Sequence, residues 1–394
     1  MKSTPPAAGP SPNAPKISAN DPVRLFLWVV AGGRCERRGC NKYLLGNQAI
    51  GDHTLYPLGE VAHNVPRSAR GPRSGDELAI ERRNDIENLL LLCPMCHKTV
   101  DEALKTGEFT VDQLRDQKRE HEARIYRLTE IAATHESLVV RLVGTIHGSA
   151  VEIAADDIRH AVVHQTTRFP RYRGSPHEVD IDLRRLPEGN DSAYWETGRR
   201  IIDDQVENLL RPRIGAEPPP HVSVFALARI PFLIYLGARL GDKIPTEVFQ
   251  KQRTAGQLWS WVAGPTVLFE HRVVRNAGTK WVMILAVSGE LSVDLLPAEL
   301  RDHSVVELRP TNAEPGREIC TSRQTFEAFR ATYGRALRWL EAAGAEEIAV
   351  VPAVPVSIAV ACGRERLPAV TPPLVVYDRI GGAYVPTITI TGSL

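Results

Sequence analysis

Four cysteines in the first quarter of the chain are spaced as two pairs. Four residues separate Cys35 from Cys40, and two separate Cys93 from Cys96. Two such pairs supply the four thiolates of a closed tetrahedral zinc site. Because each pair lies in a polar, turn-rich stretch, two sets of ordinary buried cysteines are the weaker interpretation. We therefore predict a structural zinc ion that fastens the segment between the pairs to the helix after Cys96.

Polar residues close to these cysteines have the chemistry of a hydrolytic site. In CPMCHKTVD, His97 and Asp101 are one helical turn apart, so both side chains share a helix face and can chelate a divalent cation. His63 ends an expected strand in GEVAH, where a neutral imidazole can take a proton from water. Asn88 can hydrogen-bond across the intervening loop and hold that strand end in place.

Composition indicates a globular chain without a membrane span. With 43% hydrophobic residues in 394, two or three domains are expected. Arginine or proline interrupts every apolar run before the ~20 residues that a membrane helix needs. Residues 1–20 are rich in proline, lack the apolar core of a signal peptide, and are expected to be a disordered tail. This predicts a cytoplasmic protein with reduced cysteines, in which the isolated Cys320 and Cys362 are simply packed.

Bulk charge gives no argument for a nucleic-acid partner, because the net charge is +1. A DNA contact must therefore come from a local patch. PRSARGPR is the best candidate, since Arg67, Arg70 and Arg73 lie there with no acidic residue before Asp76. A solvated basic loop is the alternative.

The first domain is expected to cover 21–135. A short apolar helix should begin at Pro22 and end at Gly32. TLYPLGEVAHNVP predicts a strand pair with a tight turn at 57–59, and NLLLLC predicts a short buried strand. A helix through HKTVDEALK follows, and a charged helix capped by Thr110 is expected to be an exposed connector.

From residue 136 to 394, apolar strands alternate with helical segments. This rhythm predicts a largely parallel α/β sheet built from two Rossmann-like halves, split near residue 275. There is neither a Walker-type lysine loop nor a Gly-x-Gly-x-x-Gly fingerprint, so a nucleoside triphosphate or dinucleotide cofactor is not indicated. Open α/β sheets bind ligands at the carboxyl ends of their strands, which here carry ALARIP, AVSGE, VPAVP and VYDR.

The residues of the first domain have the order found in one family of nucleases. A cysteine pair, EVAHN, ENLLLLC and CPMCHKTVD together resemble the zinc-bearing HNH endonucleases of the ββα-metal fold, over roughly residues 24–128. The resemblance implies that His63 is the general base and that Asn88 orients the loop. It also implies that His97 is a ligand of a catalytic Mg²⁺, with Asp101 as a second ligand.

One position departs from the pattern of that family. Many members have Asp or His immediately before the base as a metal ligand, and this chain has Ala62, which cannot ligate. Glu60, two residues earlier on the same strand face, is the expected replacement. Without such a replacement the metal site is weaker, and a non-catalytic zinc-stabilised module that binds nucleic acid becomes the alternative.

The second domain resembles SAVED, a fusion of two CARF-like units that senses cyclic oligonucleotides. The resemblance rests on HVSVFALARIPFLIYLGARLGDKIPTEVFQKQR, WSW, AVSGEL, VVPAVPVSIAVACGR and PLVVYDR. The whole chain thus resembles the HNH–SAVED effectors of cyclic-oligonucleotide-based antiphage signalling systems (CBASS). The implied fold is an α+β HNH domain followed by an α/β domain of two fused CARF-like, Rossmann-like units.

The resemblance implies a function for the whole chain. A cyclic di- or trinucleotide from a partner synthase binds the SAVED domain, drives homo-oligomerisation and switches on cleavage of double-stranded DNA by the HNH domain. A restriction-type HNH enzyme directed by modified DNA is one alternative, and it needs no second messenger. A non-catalytic sensor is the other.

Recognition of a cyclic oligonucleotide needs aromatic faces for bases, and cations or backbone N–H groups for phosphates. For the tryptophans the alternative is packing in the core or at an interface, and for the arginines it is a solvated surface. The expected ligand-binding residues are Lys251, Arg253, Trp259, Trp261, Ser288, Gly289, Pro352, Arg364 and Tyr377.

Overall fold

The computed structural model divides into two compact units, Met1–Ala132 and Ala133–Leu394, each of which is described by itself. The expected tail, Arg70 and Arg253 lie outside the described residues. No helix in the described part of the chain is both long and apolar enough to span a membrane. The structure describes residues 22–47, 55–68, 73, 75, 77–102, 109–131, 135–146, 148–171, 179–186, 189–210, 221–252 and 259–392.

The described residues of the first unit form two antiparallel strand pairs and three α-helices. Its elements are α1 (Pro22–Val30), β1 (Leu45–Asn47), β2 (Leu55–Pro57), β3 (Glu60–His63), β4 (Leu89–Leu92), α2 (Pro94–Glu102) and α3 (Val111–Glu130). β1 pairs with β2, and β3 pairs with β4. The predicted pairing of the segments on either side of 57–59 is therefore wrong. The four leucines of β4 are all buried, and their backbone groups need a partner strand, which β3 supplies.

The helix α3 belongs to the first unit and is more buried than its charged sequence suggests. Thr110 forms the expected capping box with Gln113. Three polar side chains on its inner face are buried and have partners. Arg38 N donates to Gln117 Oε1 at 3.1 Å, Lys118 Nζ lies 3.8 Å from Glu36 Oε1, and His121 Nε2 lies 2.9 Å from Ala31 O. The expectation of an exposed connector is wrong, because these contacts attach α3 to the segments around the first cysteine pair.

The first half of the second unit is an all-parallel sheet, as predicted. Strand β5 (Glu136–Val143) is central, with β10 (His221–Leu227) on one side and β8 (Phe169–Arg171) and β9 (Val179–Asp182) on the other. β11 (Thr246–Val248) lies beyond β10. The hairpin of this half is β6 (Thr145–Ile146) and β7 (Ser149–Ala150), and its helices are α4 (Ala155–Thr166), α5 (Ser192–Gln205) and α6 (Ile230–Leu240).

The second half is a six-stranded sheet with antiparallel edges. Its strands are β12 (Phe269–Arg275), β13 (Lys280–Ala286), β14 (Ser304–Pro310), β15 (Glu347–Ala353), β16 (Leu374–Ile380) and β17 (Ala383–Ile390). Their order is β12-β14-β13-β15-β16-β17, and only the outermost pairings are antiparallel. Its helices are α7 (Arg323–Ala342) and α8 (Val356–Arg364).

One expectation about this half needs correction. PPLVVYDR is not the last strand, because Gly381 and Gly382 both have positive φ and turn the chain back into β17. Two positive-φ residues form the two-residue turn that suits a hairpin, and glycine takes that conformation readily.

A repeated strand-to-helix unit relates the two halves. β10 leads into α6, and β15 into α8, through two-residue links. Gly363 in α8 follows Gly237 in α6 by the same number of residues by which β15 follows β10. The two helices contact at these glycines, where a Cβ on either one would overlap the backbone of the other helix. A single apolar core joins the halves around this crossing.

Candidate functional site

The four cysteines predicted as zinc ligands come together in the first unit. One ligand atom from each lies within 4.8 Å of the others, and Cys40 Sγ is 4.0 Å from Cys93 Sγ. Backbone N–H groups also point at the sulfurs, since Cys93 N donates to Cys35 Sγ at 3.3 Å and Cys96 N donates to Cys93 Sγ at 3.4 Å. Four thiolates in one cluster match the donor set of a tetrahedral structural metal site. The residues present therefore fit a bound metal ion.

The cluster modifies the acidity of its own thiols. Burial raises the pKa of Cys35 and of Cys96. Burial also acts to raise the pKa of Cys93, but hydrogen bonds from the Cys96 backbone and from neighbouring thiols outweigh it and lower that pKa. A coordinating thiol is deprotonated by the cation itself, so metal binding releases protons here.

Glu36 connects the first cysteine pair to the strand that carries the second. Its N–H donates to Leu91 O at 2.9 Å, and its buried carboxylate accepts from Leu91 N. Lys118 Nζ of α3 lies 3.8 Å from Glu36 Oε1. Burial raises the pKa of Glu36 to about 8, although the lysine opposes the shift. This contact holds β4, and with it the start of α2, against the cysteine cluster.

His63 ends β3 and faces an amide that sequence analysis missed. Its Nε2 lies 3.0 Å from Asn84 Oδ1. Burial lowers the pKa of His63, and the positive charge of Arg67 adds to the effect, so the imidazole is neutral near pH 7. An amide oxygen only accepts hydrogen bonds, so Nε2 carries the proton and Nδ1 is the basic nitrogen. Asn84 has no motif signal, because it lies in an irregular loop between Arg83 and Asp85.

Asn88 is buried and hydrogen-bonds to the segment that follows His63. Its Oδ1 accepts from Val65 N at 2.8 Å, and its Nδ2 donates to Val65 O at 2.9 Å and to Arg83 O at 2.8 Å. In addition, Asn64 N donates to the backbone oxygen of Asn88 at 2.8 Å. All the hydrogen-bonding groups of the amide are used within the protein, on the loop beside the imidazole.

The structure places His97 between the two expected carboxylates. Glu60 Oε2 lies 2.7 Å from His97 Nδ1, and Asp101 Oδ2 lies 3.5 Å from His97 Nε2. Both carboxylates are about half exposed, whereas Ala62 is buried in the core. The two acids meet opposite nitrogens of one ring. Asp101 can therefore share a cation with Nε2, while Glu60 holds the N–H on the other side.

The described arginines of the expected DNA patch have different surroundings. Arg73 donates from Nε to Asn64 O at 2.7 Å, and from its terminal nitrogens to His63 O and Val100 O at 3.4 Å each. Burial lowers the pKa of Arg73, and it adopts a left-handed backbone with φ of 59°. Arg67 is half-buried and close enough to His63 to lower the pKa of the imidazole. Arg73 thus supports the strand end, whereas Arg67 adds positive charge beside His63.

In the second unit, the expected aromatic ligand residues are part of the packing. Trp259 is 2% exposed, packs edge-on against Phe225, and has Lys251 Nζ 5.5 Å from its ring centre. Trp261 Nε1 donates to Glu247 Oε1 at 3.0 Å. Tyr377 is buried, which raises its pKa to about 12.

Three more of the expected ligand residues are also engaged within the fold. Arg364 donates to Gly241 O at 3.0 Å and to Ile244 O at 3.1 Å, and burial lowers its pKa to about 10. Ser288 N donates to Ala353 O at 2.7 Å, so this N–H is not available to a phosphate. Pro352 lies in β15 opposite Leu285. The expected ligand residues that the structure describes, including Gly289, lie outside the lining of the cavity described next.

A cavity of about 510 Å³ opens at the carboxyl ends of β5 and β10, where parallel sheets commonly bind ligands. Both halves of the second unit contribute to its wall, because β16 and the turn after it close one side. The lining residues are Thr145, Ile146, Gly148, Leu186, Gly189, Asn190, Tyr194, Arg229, Asp378, Arg379, Ile380 and Gly381.

Arg229 has several polar and aromatic partners in this cavity. Its Nε and Nη2 lie 2.8 and 2.7 Å from Asp378 Oδ2, and its Nη1 donates to Asn190 Oδ1 at 2.8 Å. The guanidinium carbon lies 4.3 Å from the ring centre of Trp195 and 5.4 Å from that of Tyr194. This arginine lies in ALARIP, one of the strand ends expected to bind a ligand, but no residue type or spacing in the sequence distinguishes it from the other arginines.

Comparison with protein families gives two matches. Residues 46–105 match an HNH endonuclease family, and this segment includes His63, Asn88 and His97. Residues 202–390 match SAVED, described as the SMODS-associated and fused to various effectors sensor domain. No protein of curated function matches the sequence.

Similar solved structures are SAVED/CARF-domain containing receptors named Cap4. The receptor of Acinetobacter baumannii with the cyclic trinucleotide 3′3′3′-cAAA is 12% identical, with a TM-score of 0.43 over 74% of this chain and 61% of that one. The same receptor with 2′3′3′-cAAA is 11% identical, with a TM-score of 0.44 over 75% and 61%. The receptor of Moraxella osloensis is 12% identical, with a TM-score of 0.37 over 74% and 59%.

The chain spans less than two thirds of the length of these receptors. The two family matches fall on different units of the structure, the HNH match on the first and the SAVED match on the second. One chain thus contains a segment similar to HNH endonucleases and a segment similar to the SAVED sensor domain, which is the combination that the sequence predicted.

Proposed function

We propose that this chain is a DNA endonuclease gated by a cyclic oligonucleotide. A cyclic di- or trinucleotide binds the SAVED unit, drives homo-oligomerisation and activates Mg²⁺-dependent cleavage of double-stranded DNA by the HNH unit. The proposal rests chiefly on one observation: His63 ends β3, Asn88 directly precedes β4, which pairs with β3, and His97 lies in α2, which also carries Cys96 of the four-cysteine cluster.

His63 acts as the general base in this proposal. Its lowered pKa keeps the imidazole neutral at physiological pH, and the hydrogen bond to Asn84 leaves Nδ1 free to take a proton from water. Asn88 and Arg73 hold the loop and strand end that carry the imidazole. Preorganisation of this kind keeps the base at the distance and angle that proton transfer requires.

His97 and Asp101 would hold the catalytic Mg²⁺, one turn apart on α2. A bound Mg²⁺ stabilises the charge that develops on the scissile phosphate and on the departing oxygen. Glu60 is better suited to hold the opposite ring nitrogen than to replace the ligand missing at Ala62, since it contacts Nδ1 at 2.7 Å. A carboxylate on the second nitrogen fixes the tautomer and orientation of a ligating histidine.

The four-cysteine cluster holds a structural zinc ion in this proposal. The cluster joins the loop after α1 to the start of α2, so metal binding and the position of His97 are coupled. Four thiolates leave no open coordination position for a substrate. Zinc therefore supports the nuclease site without taking part in its chemistry.

The class of activator is inferred from the SAVED match over 202–390. Two of the similar Cap4 receptor structures contain cyclic trinucleotides, 3′3′3′-cAAA and 2′3′3′-cAAA. Activation by oligomerisation and a cytoplasmic place of action, expected from the sequence, complete the proposal.

Cleavage of supercoiled plasmid tests the proposal directly. Purified chain is incubated with plasmid and Mg²⁺, alone and with a panel of cyclic di- and trinucleotides. We expect nicking and linearisation with one ligand and none without it. His63→Ala should abolish cleavage while zinc content, circular dichroism and ligand binding stay at wild-type levels, because it removes a base and no structural contact of the cluster.

The other outcomes favour the alternatives. Cleavage without ligand supports a constitutive nuclease or one directed by DNA modification. Plasmids with and without modified bases distinguish these two. Ligand-induced assembly with no nicking at any Mg²⁺ concentration supports a non-catalytic sensor. Cleavage by His63→Ala near the wild-type rate would remove His63 as the base.

A further inference from the structure

We propose that the cavity at the carboxyl ends of β5 and β10 binds a phosphate group of the cyclic oligonucleotide, and that Arg229 is its ligand in competition with Asp378. The inference rests on the proposed function, since it assumes that the second unit binds a nucleotide of this class. It assigns a place and a phosphate ligand that differ from the residues expected from the sequence.

The position of the cavity favours a ligand site. It lies where two neighbouring parallel strands end, beside the beginning of α6, and a volume of about 510 Å³ is suitable for a small ligand. Glycines at 148, 189 and 381 line it, so backbone can approach a ligand closely there. The lining also includes Thr145 and Asn190, whose side chains can hydrogen-bond to phosphate or base.

Arg229 is oriented before any ligand arrives. Its side chain is 18% exposed, and stacking on Trp195 with the hydrogen bond to Asn190 fixes the plane of the guanidinium. A planar fork with fixed donors suits a phosphate, because two parallel N–H groups can reach two oxygens. Arg379, exposed on the rim, adds a second positive charge.

Asp378 uses the donors that a phosphate would use. Its Oδ2 accepts from both Nε and Nη2 of Arg229, while its Oδ1 accepts from Arg379 N at 2.9 Å. A phosphate that binds these donors must displace the carboxylate, because two anions on one edge repel each other.

The competition involves both halves of the second unit. Arg229 follows β10 in the first half, and Asp378 belongs to β16 in the second. Displacement of the carboxylate releases one ion pair between the halves, so ligand binding is coupled to the contact of β16 with the link before α6. This coupling gives the bound nucleotide a way to change the surface that the unit presents.

Isothermal titration calorimetry of the full chain tests the assignment, with cyclic di-AMP, cyclic GMP–AMP and 3′3′3′-cAAA as probes. For the probe that wild type binds, Arg229→Ala should weaken affinity tenfold or more, because a charged hydrogen-bond donor is lost. Arg229→Lys should weaken it less, since charge remains but the fork does not. Asp378→Asn should tighten binding about fivefold, because the competing ion pair is removed.

A matched control comes from another partly buried ion pair of the same unit. Arg330 lies 2.6 Å from Glu365 and outside the cavity, so Glu365→Gln should leave affinity unchanged. Thermal unfolding without ligand shows which variants are folded. If Arg229→Ala is not folded, the two other single variants, Asp378→Asn and Arg229→Lys, carry the test.

The proposal is overturned if Arg229→Ala binds the probe like wild type, or if Asp378→Asn binds it equally well or more weakly. Either result leaves the proposed function intact, because wild type still binds the probe. If wild type binds none of the probes, and none activates cleavage, the gating part of the proposed function fails together with this site.

Discussion

Asn84 Oδ1 lies 3.0 Å from His63 Nε2, and this contact distinguishes the two nitrogens of the imidazole. The amide oxygen accepts a hydrogen bond from Nε2–H, so in the proposed mechanism the Nδ1 lone pair is the one that takes a proton from the attacking water. The amide is uncharged, so it orients the ring without the large rise in pKa that a carboxylate would cause. Burial therefore remains the dominant effect, and the pKa of His63 is lowered.

Replacement of this amide by a carboxylate should change the pH dependence of cleavage. In wild type, the lowered pKa of His63 keeps the imidazole neutral. The cleavage rate should therefore stay unchanged until the pH falls below about 6.5, the usual pKa of a histidine. Asn84→Asp places a negative charge beside Nε2, which favours the imidazolium and raises that pKa. The acidic limb should move to higher pH, with a loss at pH 6 and little change at pH 8.

The measurement is the cleavage rate of ligand-activated enzyme between pH 5 and 9 at fixed Mg²⁺. Asn84→Ala is the control, since it removes the orienting contact without adding a charge. It should lower the rate across the whole range and leave the acidic limb at or below its wild-type position. An unchanged limb in Asn84→Asp would show that this contact does not act on the base.

Arg73 should affect turnover more than DNA binding. Its guanidinium donates to His63 O, Asn64 O and Val100 O, so it joins the end of β3 to α2. In Arg73→Ala, the base and His97 lose their fixed spacing, and misplacement by about 1 Å can cost up to a hundredfold in rate. We expect kcat to fall about ten- to hundredfold with KM nearly unchanged, measured by steady-state nicking of plasmid.

Arg67→Ala provides the comparison, because its charge lies beside the base and can contact DNA. It should raise KM and reduce the salt dependence of binding, with a smaller effect on kcat. Arg73→Lys should recover only part of the activity, since one ammonium cannot reach three carbonyls in the geometry of the guanidinium. A rise in KM alone for Arg73→Ala would instead support the DNA contact that the sequence suggests.

Loss of one cluster cysteine should remove the metal and loosen the nuclease unit. Cys93 contacts Cys40, Cys35 and Cys96 through its sulfur or its backbone N–H. Cys93→Ser should lose about one equivalent of zinc per chain and destabilise residues 33–105 as one unit, because the metal supplies folding free energy. Native mass spectrometry measures the metal, and hydrogen exchange measures the local opening.

Cys320→Ser is a matched control for this experiment. Cys320 is equally buried but lies in the second unit, outside the cluster. It should retain the zinc and the wild-type exchange pattern of residues 33–105. Unchanged metal content in Cys93→Ser would contradict the structural zinc site.

The features that the sequence predicted best depend on short-range spacing. The two cysteine pairs meet in one cluster, and the i to i+4 relation of His97 and Asp101 holds because both lie in α2. The capping box at Thr110 also depends on two residues three positions apart, Thr110 and Gln113. The helix pair and the capping box are each determined within about one turn of chain, and each cysteine pair is recognisable from its own short spacing, so the pattern contains the necessary information.

What the sequence did not predict depends on contacts between distant segments. Asn84 and Arg73 acquire their roles only because the loop folds back on His63. The indole of Trp259 could stack on a base, but it packs with Phe225 and Phe249 in the core and is buried there. The strand β12 was missed because six of its seven residues are at least partly exposed, so its sequence is charged and irregular.

The crossing of α6 and α8 predicts a large effect of small substitutions on the second unit. At Gly363, an added Cβ would overlap Ile234 O and the backbone at Ala238, and at Gly237 it would overlap Val360 O. Backbone atoms can move only if a whole helix shifts, which disturbs the core shared by both halves. We expect Gly363→Ala to lower the free energy of unfolding of this unit by about 3 kcal/mol, the upper end for overpacking.

The measurement is urea unfolding followed by tryptophan fluorescence, with Gly264→Ala as control because a Cβ there meets nothing within 4 Å. Gly237→Ala should show a similar loss, and a loss no larger than that of Gly264→Ala would mean that the helices separate without cost.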